Sequence, residues 1–279
     1  MTVEFEEAAT PVLPRHLRDH LLSHGQHVIE VSDARRLLGV SERQATATMS
    51  RLRRAGQFFA PTAGMYVAIP PEYASWGSVP AMDFVAPLMQ KLNRRYYVGL
   101  LSAAEIHGAA HQRPQLFQVM VDRQVQARSF GRVHLRFYTR SNLKAVPTML
   151  RNSATGQVRV ATAEVTALDL ASRPRDSGGL NNVATVVAEL VLQERLAPGL
   201  VAEASHFFPR SAVRRLGWLL DRVADETDTA ALSASLEHVL AQSERPGRPV
   251  DLLDPTGPRR GPARNRWNVV ENAEVEPDL

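Results

Sequence analysis

Residues 41–56 read SERQATATMSRLRRAG. Ser41 has the short side-chain oxygen that caps free backbone N–H groups at a helix start, and Gly56 sits where a left-handed residue commonly closes one. Ala45, Met49 and Leu52 fall four and three apart and make one apolar stripe, the pattern of a helix with a single buried side. The other faces hold Arg43, Gln44, Thr46, Ala47, Thr48, Ser50, Arg51, Arg53 and Arg54, with Glu42 the one acid. Core packing alone does not call for four arginines on the surface of such a helix.

The flanking segments explain them. LPRHLRDHLLSH (13–24) predicts an amphipathic helix on Leu13, Leu17 and Leu21, and HVIEV (27–31) a short strand. Ser32 is positioned to cap a two-turn helix, DARRLLG, that Gly39 ends. After Gly56, QFFAPTAGMYVAIP (57–70) holds two apolar runs around Pro61–Thr62–Ala63–Gly64, a hairpin signal. Helix, strand, helix, tight turn, helix and hairpin in this order predict a winged helix-turn-helix. The basic face of 41–54 then lies in a DNA major groove. Arg43, Gln44, Thr46 and Thr48 are the expected base-edge readers, with Ser41, Ala47 and Ser50 on the same segment. Arg51, Arg53 and Arg54 are expected to neutralise phosphates, which adds affinity but little specificity. The wing, from Thr62 to Tyr66, is expected to touch backbone or minor groove.

Charge agrees with a polyanionic or acidic partner. The 279 residues carry a net charge of only +4, yet 31 of the 33 basic residues are arginine, the better side chain for bidentate phosphate recognition. Residues 33–60 hold six arginines against Asp33 and Glu42; residues 111–151 hold seven arginines and Lys144 against Asp122. There is no cysteine, which excludes disulfides, thiolate zinc sites and cysteine nucleophiles. No apolar run is long enough to span a bilayer, and the start, TVEFEEAAT, is acidic and unlike a secretory signal. The expected location is the cytoplasm, with no membrane contact.

IPPEYASWGSVP (69–80) has three prolines and no periodicity. It predicts a boundary, with units 1–75 and 83–279 joined by a linker at 76–82, the first able to bind DNA without the second. The expected fold class is α+β: an N-terminal winged helix-turn-helix domain, then a larger mixed α/β domain with a small sheet and a helical C-terminal half. In the second unit 116–123, 132–140 and 158–161 read as strands, and 82–92, 102–108, 163–172, 181–196, 211–224 and 229–243 as helices. From Glu244 onward proline, glycine and arginine dominate. Strand 132–140 alternates: Val133, Leu135 and Phe137 are expected to face a core, and Arg132, His134, Arg136, Tyr138 and Arg140 solvent. Three arginines interleaved with an imidazole and a phenol make a candidate partner-binding face.

Other chemistry is weakly signalled. His16, His20 and His24 recur at helical spacing, but a polar flank beside the leucine stripe accounts for them. His107 and His111 are separated by Gly108, a helix end, so no metal site is expected. There is neither a phosphate-cradling glycine-rich loop nor a G-x-S-x-G elbow. No carboxylate cluster accompanies Lys91 or Lys144, so neither catalysis nor a cofactor is expected.

A winged helix-turn-helix followed by RRYYVGLLSAAEIHGAAHQRPQLFQVMV (94–121), RRLGWLLD (214–221) and the ending LLDPTGPRRGPARNRWNVVENAEVEPDL resembles the AbiEi family of antitoxins from bacterial abortive-infection systems. The resemblance implies a two-domain antitoxin that binds operator DNA at inverted repeats and represses its own operon. It implies antitoxicity, carried by the larger domain, against a co-encoded nucleotidyltransferase-like toxin or through that toxin's RNA target. The domain carrying Tyr96, Tyr97, Ser102, Glu105 and His107 takes that role, with no single residue assigned. A winged-helix regulator with a ligand-sensing C-terminal domain, and a nucleic-acid-modifying enzyme, remain open on the residues alone.

Overall fold

The computed structural model describes residues 11–109, 115–223, 228–243 and 250–278. Pro14 makes the first turn a 3-10 turn, Pro14–His16, so α1 is the short helix Leu17–Ser23. Leu17 and Leu21 are buried, and Leu13, expected on the same stripe, is exposed. β1 (Val28–Glu30) runs directly into α2 (Val31–Leu38). Ser32 therefore lies inside the first turn and is not the cap; Glu30 takes the N-cap position, and its carboxylate pairs with Lys91 at 2.7 Å. Gly39 closes α2 in the left-handed conformation at φ 63°.

The opening stretch forms α3 (Glu42–Arg54). Gln44 N donates to Ser41 Oγ while Ser41 N donates to Gln44 Oε1 at 2.9 Å, a capping box worth about 1 kcal/mol. β2 (Phe58–Thr62) and β3 (Met65–Ala68) form the hairpin, and β1 pairs antiparallel with β3, giving the strand order β1-β3-β2. This small sheet has apolar residues on both faces. Phe58 and Ala68 belong to a core with Leu17, Leu21, Ile29, Leu37 and Met49; Phe59, Met65 and Val67 belong to the core of the remaining chain.

Segment 69–83 is no extended spacer. It holds the 3-10 turns Pro71–Trp76 and Ala81–Asp83, and Ser78 and Val79 are buried. Then follow α4 (Val85–Lys91), β4 (Tyr96–Val98), α5 (Leu100–His107), β5 (Leu116–Val121), β6 (Arg128–Phe130), β7 (Val133–Thr139), β8 (Thr148–Ser153) and β9 (Gly156–Ala161). The sheet has six strands ordered β6-β7-β5-β4-β9-β8, with β5–β7 and β4–β9 parallel. Three strands were expected; β4, β6 and β8 are short or polar and show little periodicity. The helical half comprises α6 (Ala163–Ser172), α7 (Leu180–Leu192), α8 (Pro198–Ser205), α9 (Arg210–Arg222) and α10 (Ala230–Ser243). α8, missed in the sequence, begins at a proline, a residue favoured in the first turn of a helix. The whole is a mixed α+β chain, and among the described residues no helix is long and apolar enough to cross a membrane.

The proline- and arginine-rich end packs along α9. Two short parallel strands, β10 (Asp251–Leu252) and β11 (Val269–Val270), form there. Buried Arg215 donates to the carbonyls of Leu252, Leu253 and Ala171, and Arg214 pairs with Asp251 at 2.9 Å. Trp267 is fully buried, and its indole N–H donates to Asp221 at 2.6 Å. Burial alone would raise the Asp221 carboxyl; hydrogen bonds from Arg266, Trp267 and Ser233 outweigh it and hold the group below its ordinary value.

The seat of that indole is Gly217 on α9, where a Cβ would run into the six-membered ring. In an open helix, alanine would be favoured over glycine by about 1 kcal/mol. Here Gly217→Ala is expected to destabilise the protein by about 1–3 kcal/mol through overpacking, read as a lower urea midpoint. A variant as stable as the parent would show that the indole does not rest on α9.

Candidate nucleic-acid interface

α3 presents its basic side to solvent. Ala45, Thr48, Met49 and Leu52 are buried, and Glu42, Arg43, Gln44, Thr46, Ala47, Arg51, Arg53 and Arg54 are exposed. Helical spacing puts Arg43, Ala47, Ser50 and Arg54 in the row opposite the buried stripe. Thr46 and Arg53 flank it on one side, Gln44 and Arg51 on the other.

Three of the expected base-edge readers are otherwise employed. Thr48 is 6% exposed, and its Oγ1 accepts from Arg51 at 3.1 Å. It sits beside Met49 on the packed side, because a residue four before Leu52 shares its stripe. Gln44 is exposed, but its Oε1 accepts from both the backbone N–H and the hydroxyl of Ser41. Thr46 donates its hydroxyl to the Glu42 carbonyl at 2.9 Å. Arg43 keeps its guanidinium on the outer row, near the N-terminal end of α3. At the hairpin, Thr62 and Tyr66 are half-buried, Tyr66 against the smaller core. The carbonyl of Pro61 accepts from Arg128 of β6.

On β7 the alternation holds, but solvent reaches only part of the polar face. Arg132, just before the strand, His134 and Arg136 are exposed. Tyr138 is 7% exposed, and its hydroxyl accepts from Gln118 at 3.2 Å. Arg140 lies beneath α6: its Nη1 meets Asp169 Oδ1 at 2.8 Å, the two side chains being 10% and 2% exposed. The expectation that all five face solvent is thus corrected for Tyr138 and Arg140, because α6 and the turn Pro174–Ser177 cover that end of the sheet. Arg136 is in loose contact with Asp176 of this turn at 3.8 Å.

The sequence reading missed the group at the centre of this contact. The Tyr97 hydroxyl donates to Asp169 at 3.0 Å, and Arg140 Nη2 donates to the Phe207 carbonyl at 2.8 Å. Burial pushes Asp169 up to about 6, against the opposing pull of Arg140 and Tyr97. Burial and the neighbouring Asp169 also push the Tyr97 phenol upward. The available signal was an aspartate inside ALDLA (167–171), where the surrounding helix offers it no polar face.

The histidines stand apart from this. The rings of His20, on α1, and His24, its C-cap, have centroids 4.4 Å apart. His107 is buried with Nε2 at 2.9 Å from the Ala161 carbonyl, and His111 lies outside the described residues. Among the described residues no group of three potential ligands is arranged to hold a metal.

Comparison with known proteins places part of this architecture. Residues 97–222, from β4 to the end of α9, match the family model described as AbiEi antitoxin C-terminal domain. The RV2827C protein from Mycobacterium tuberculosis has a crystal structure that aligns with a TM-score of 0.66 over 95% of this chain and 94% of that one. At 18% identity it is similar in fold. No curated protein matches the chain.

Two outcomes follow from the buried pair. Arg140→Ala leaves Asp169 without its cation and is expected to cost about 3–5 kcal/mol in urea unfolding, whereas Arg132→Ala stays within about 0.5 kcal/mol. Equal effects would mean that Arg140 is no more embedded than Arg132. The second outcome concerns pH. With its native pKa raised to about 6, Asp169 binds a proton more tightly folded than unfolded. Its contribution is therefore full below the unfolded value near 3.8 and lost as pH rises to about 6. Stability of the parent relative to Asp169→Asn should fall between about pH 4 and 7. A rise over that window would mean that Arg140 holds the carboxylate ionised.

Proposed function

We propose, from the match of residues 97–222 to the AbiEi antitoxin C-terminal domain model, that the chain is an antitoxin that also binds operator DNA and represses its own operon. In this reading residues 1–75 are a winged helix-turn-helix and α3 enters a major groove. The observation that supports it most directly is the outer row of α3, with Arg43 and Arg54 at its ends, Arg51 and Arg53 beside it, and Glu42 as the one acid. Arg43 reads a base edge, while Arg51, Arg53 and Arg54 hold phosphates. Thr62 and Tyr66 contact the backbone. One such helix reads too few base pairs for genomic selectivity. Two copies therefore bind inverted repeats, with half-sites about 10 bp or a multiple apart.

Residues 83–279 counteract a nucleotidyltransferase-like toxin, by contact or through its RNA target. Arg132, His134 and Arg136 are the exposed side chains of β7 available for this. No catalytic step is assigned. A ligand-sensing reading draws on one observation, a cleft of about 480 Å³ lined by Trp76, Met82, Ile106 and Phe117 with Glu105 and His134 at its polar side.

The test uses the full chain on the DNA upstream of its gene. Arg43→Ala should weaken the specific site by about 1–3 kcal/mol and random DNA far less if it reads guanine. Arg54→Ala should weaken both and lower the salt slope by about one. Binding that neither variant alters, or no retention of that DNA by the parent, would remove α3 from the interface.

A further inference from the structure

A second group of arginines makes no ion pair among the described residues. β4 runs beside β9 in the sheet, and β8 follows β9 at the edge. This order brings Arg94, Arg95 and Tyr96 together with Arg159 of β9, Thr148 of β8 and Lys144 of the turn Leu143–Ala145. They line a cleft of about 450 Å³ that contains four cations and no carboxylate. Arg94 and Arg95 also line an adjoining concavity with Arg123, where Asp122 is the one acid.

The contrast with the other arginines is sharp. Arg140, Arg214 and Arg266 each pair with an aspartate at close range. In the cleft, Arg159 reaches the Thr148 hydroxyl at 3.0 Å and Arg94 the Asn93 carbonyl at 3.0 Å. Neither these two, Arg95 nor Lys144 makes an ion pair among the described residues. Arg94 Nε is buried without an acceptor. Like charges converging in a concave space repel one another and cost stability unless an anion joins them. Planar guanidinium groups match phosphate oxygens two at a time. The volume lies in the range that holds a small ligand, and Tyr96, half-buried in the lining, offers a ring beside the charges.

We propose that the cleft formed by Arg94, Arg95, Lys144 and Arg159 binds the phosphate groups of a nucleotide or of a nucleic-acid strand, at a site built from different elements than α3. The proposal is independent of operator binding. A flat surface would suit an acidic protein face; the concave convergence of side chains suits a compact anion that several cations reach at once.

The experiment titrates the full chain at low salt with inorganic pyrophosphate, ATP and a short single-stranded RNA, by calorimetry. Uptake of pyrophosphate or ATP identifies a free phosphate ligand, and uptake of RNA alone identifies a strand backbone; either supports the site. Arg95→Ser/Lys144→Ser changes two exposed side chains, so the fold, checked by circular dichroism, is expected to persist. Affinity should drop about tenfold or more as charge-assisted contacts are lost, and the parent's affinity should fall with added salt. Failure of the parent to bind any of the three probes overturns the proposal. So does a folded double variant with parental affinity, or RNA binding that Arg43→Ala/Arg54→Ala abolishes and the cleft variant keeps. If no probe binds and the cleft variant loses its hold on the co-expressed toxin, the cleft is a protein interface and the proposal fails.

Discussion

The contact on which the arrangement of α3 relative to the six-stranded sheet and its helices depends is the edge of Phe59 against the ring of Phe84, with centroids 5.1 Å apart and planes at 82°. Phe130 of β6 completes the cluster, 5.4 Å from Phe59 and 5.8 Å from Phe84. Such pairs add about 0.5–1.5 kcal/mol to the area they bury. Their importance here comes from position. Successive side chains on a strand point to opposite faces, so Phe58 packs beneath α3 while Phe59 enters the larger core. On β3, Met65 and Val67 join the larger core, while Ala68 belongs to the smaller and Tyr66 packs against it. The three-stranded sheet is a wall shared by two cores. Lys91 to Glu30 and Arg128 to the Pro61 carbonyl tie its edges to the same body.

Much of this was legible in the residues. The stripe at Ala45, Met49 and Leu52, the cap at Ser41 and the stop at Gly39 are local effects, and local chemistry decides them. The shared wall was legible too, though read as an ordinary hairpin. QFF and MYVAI have apolar residues in both parities, the pattern of a strand covered on both faces. What sequence periodicity does not carry is which covered face meets which neighbour. Alternation assigned Tyr138 and Arg140 to the right side of β7. Only the placement of α6 across that side determines that they meet Gln118 and Asp169 and not water. The same limit hid Thr48, whose small polar side chain fits a packed stripe as well as a surface.

Arginine counts mislead for a related reason. Several arginines serve as internal braces: Arg215 closes three carbonyls beneath the terminal segment, Arg214 meets Asp251, and Arg140 meets Asp169. The strongly basic region 111–151 owes part of its formal charge to groups neutralised in this way. The charge left over, on α3 and in the cleft at Arg94, Arg95, Lys144 and Arg159, is spread over residues far apart in sequence. No window along the chain could isolate that cleft, because sheet order alone brings its parts together.

The wall also bears on whether residues 1–75 can act alone, as the proline-rich segment had suggested. Removing the rest of the chain would uncover Phe59, Met65, Val67 and Ile69, all of which lie in the larger core. Each such side chain contributes about 1.5–3 kcal/mol when fully buried, and a unit of that size has only a small net stability to lose. Exposed strands with apolar residues on an unpaired face also invite association. The hairpin that closes behind α3 is therefore held in place by the larger core. Packing changes at Phe84 or Phe130 reach the backbone of β2 directly, and through it the seat of α3.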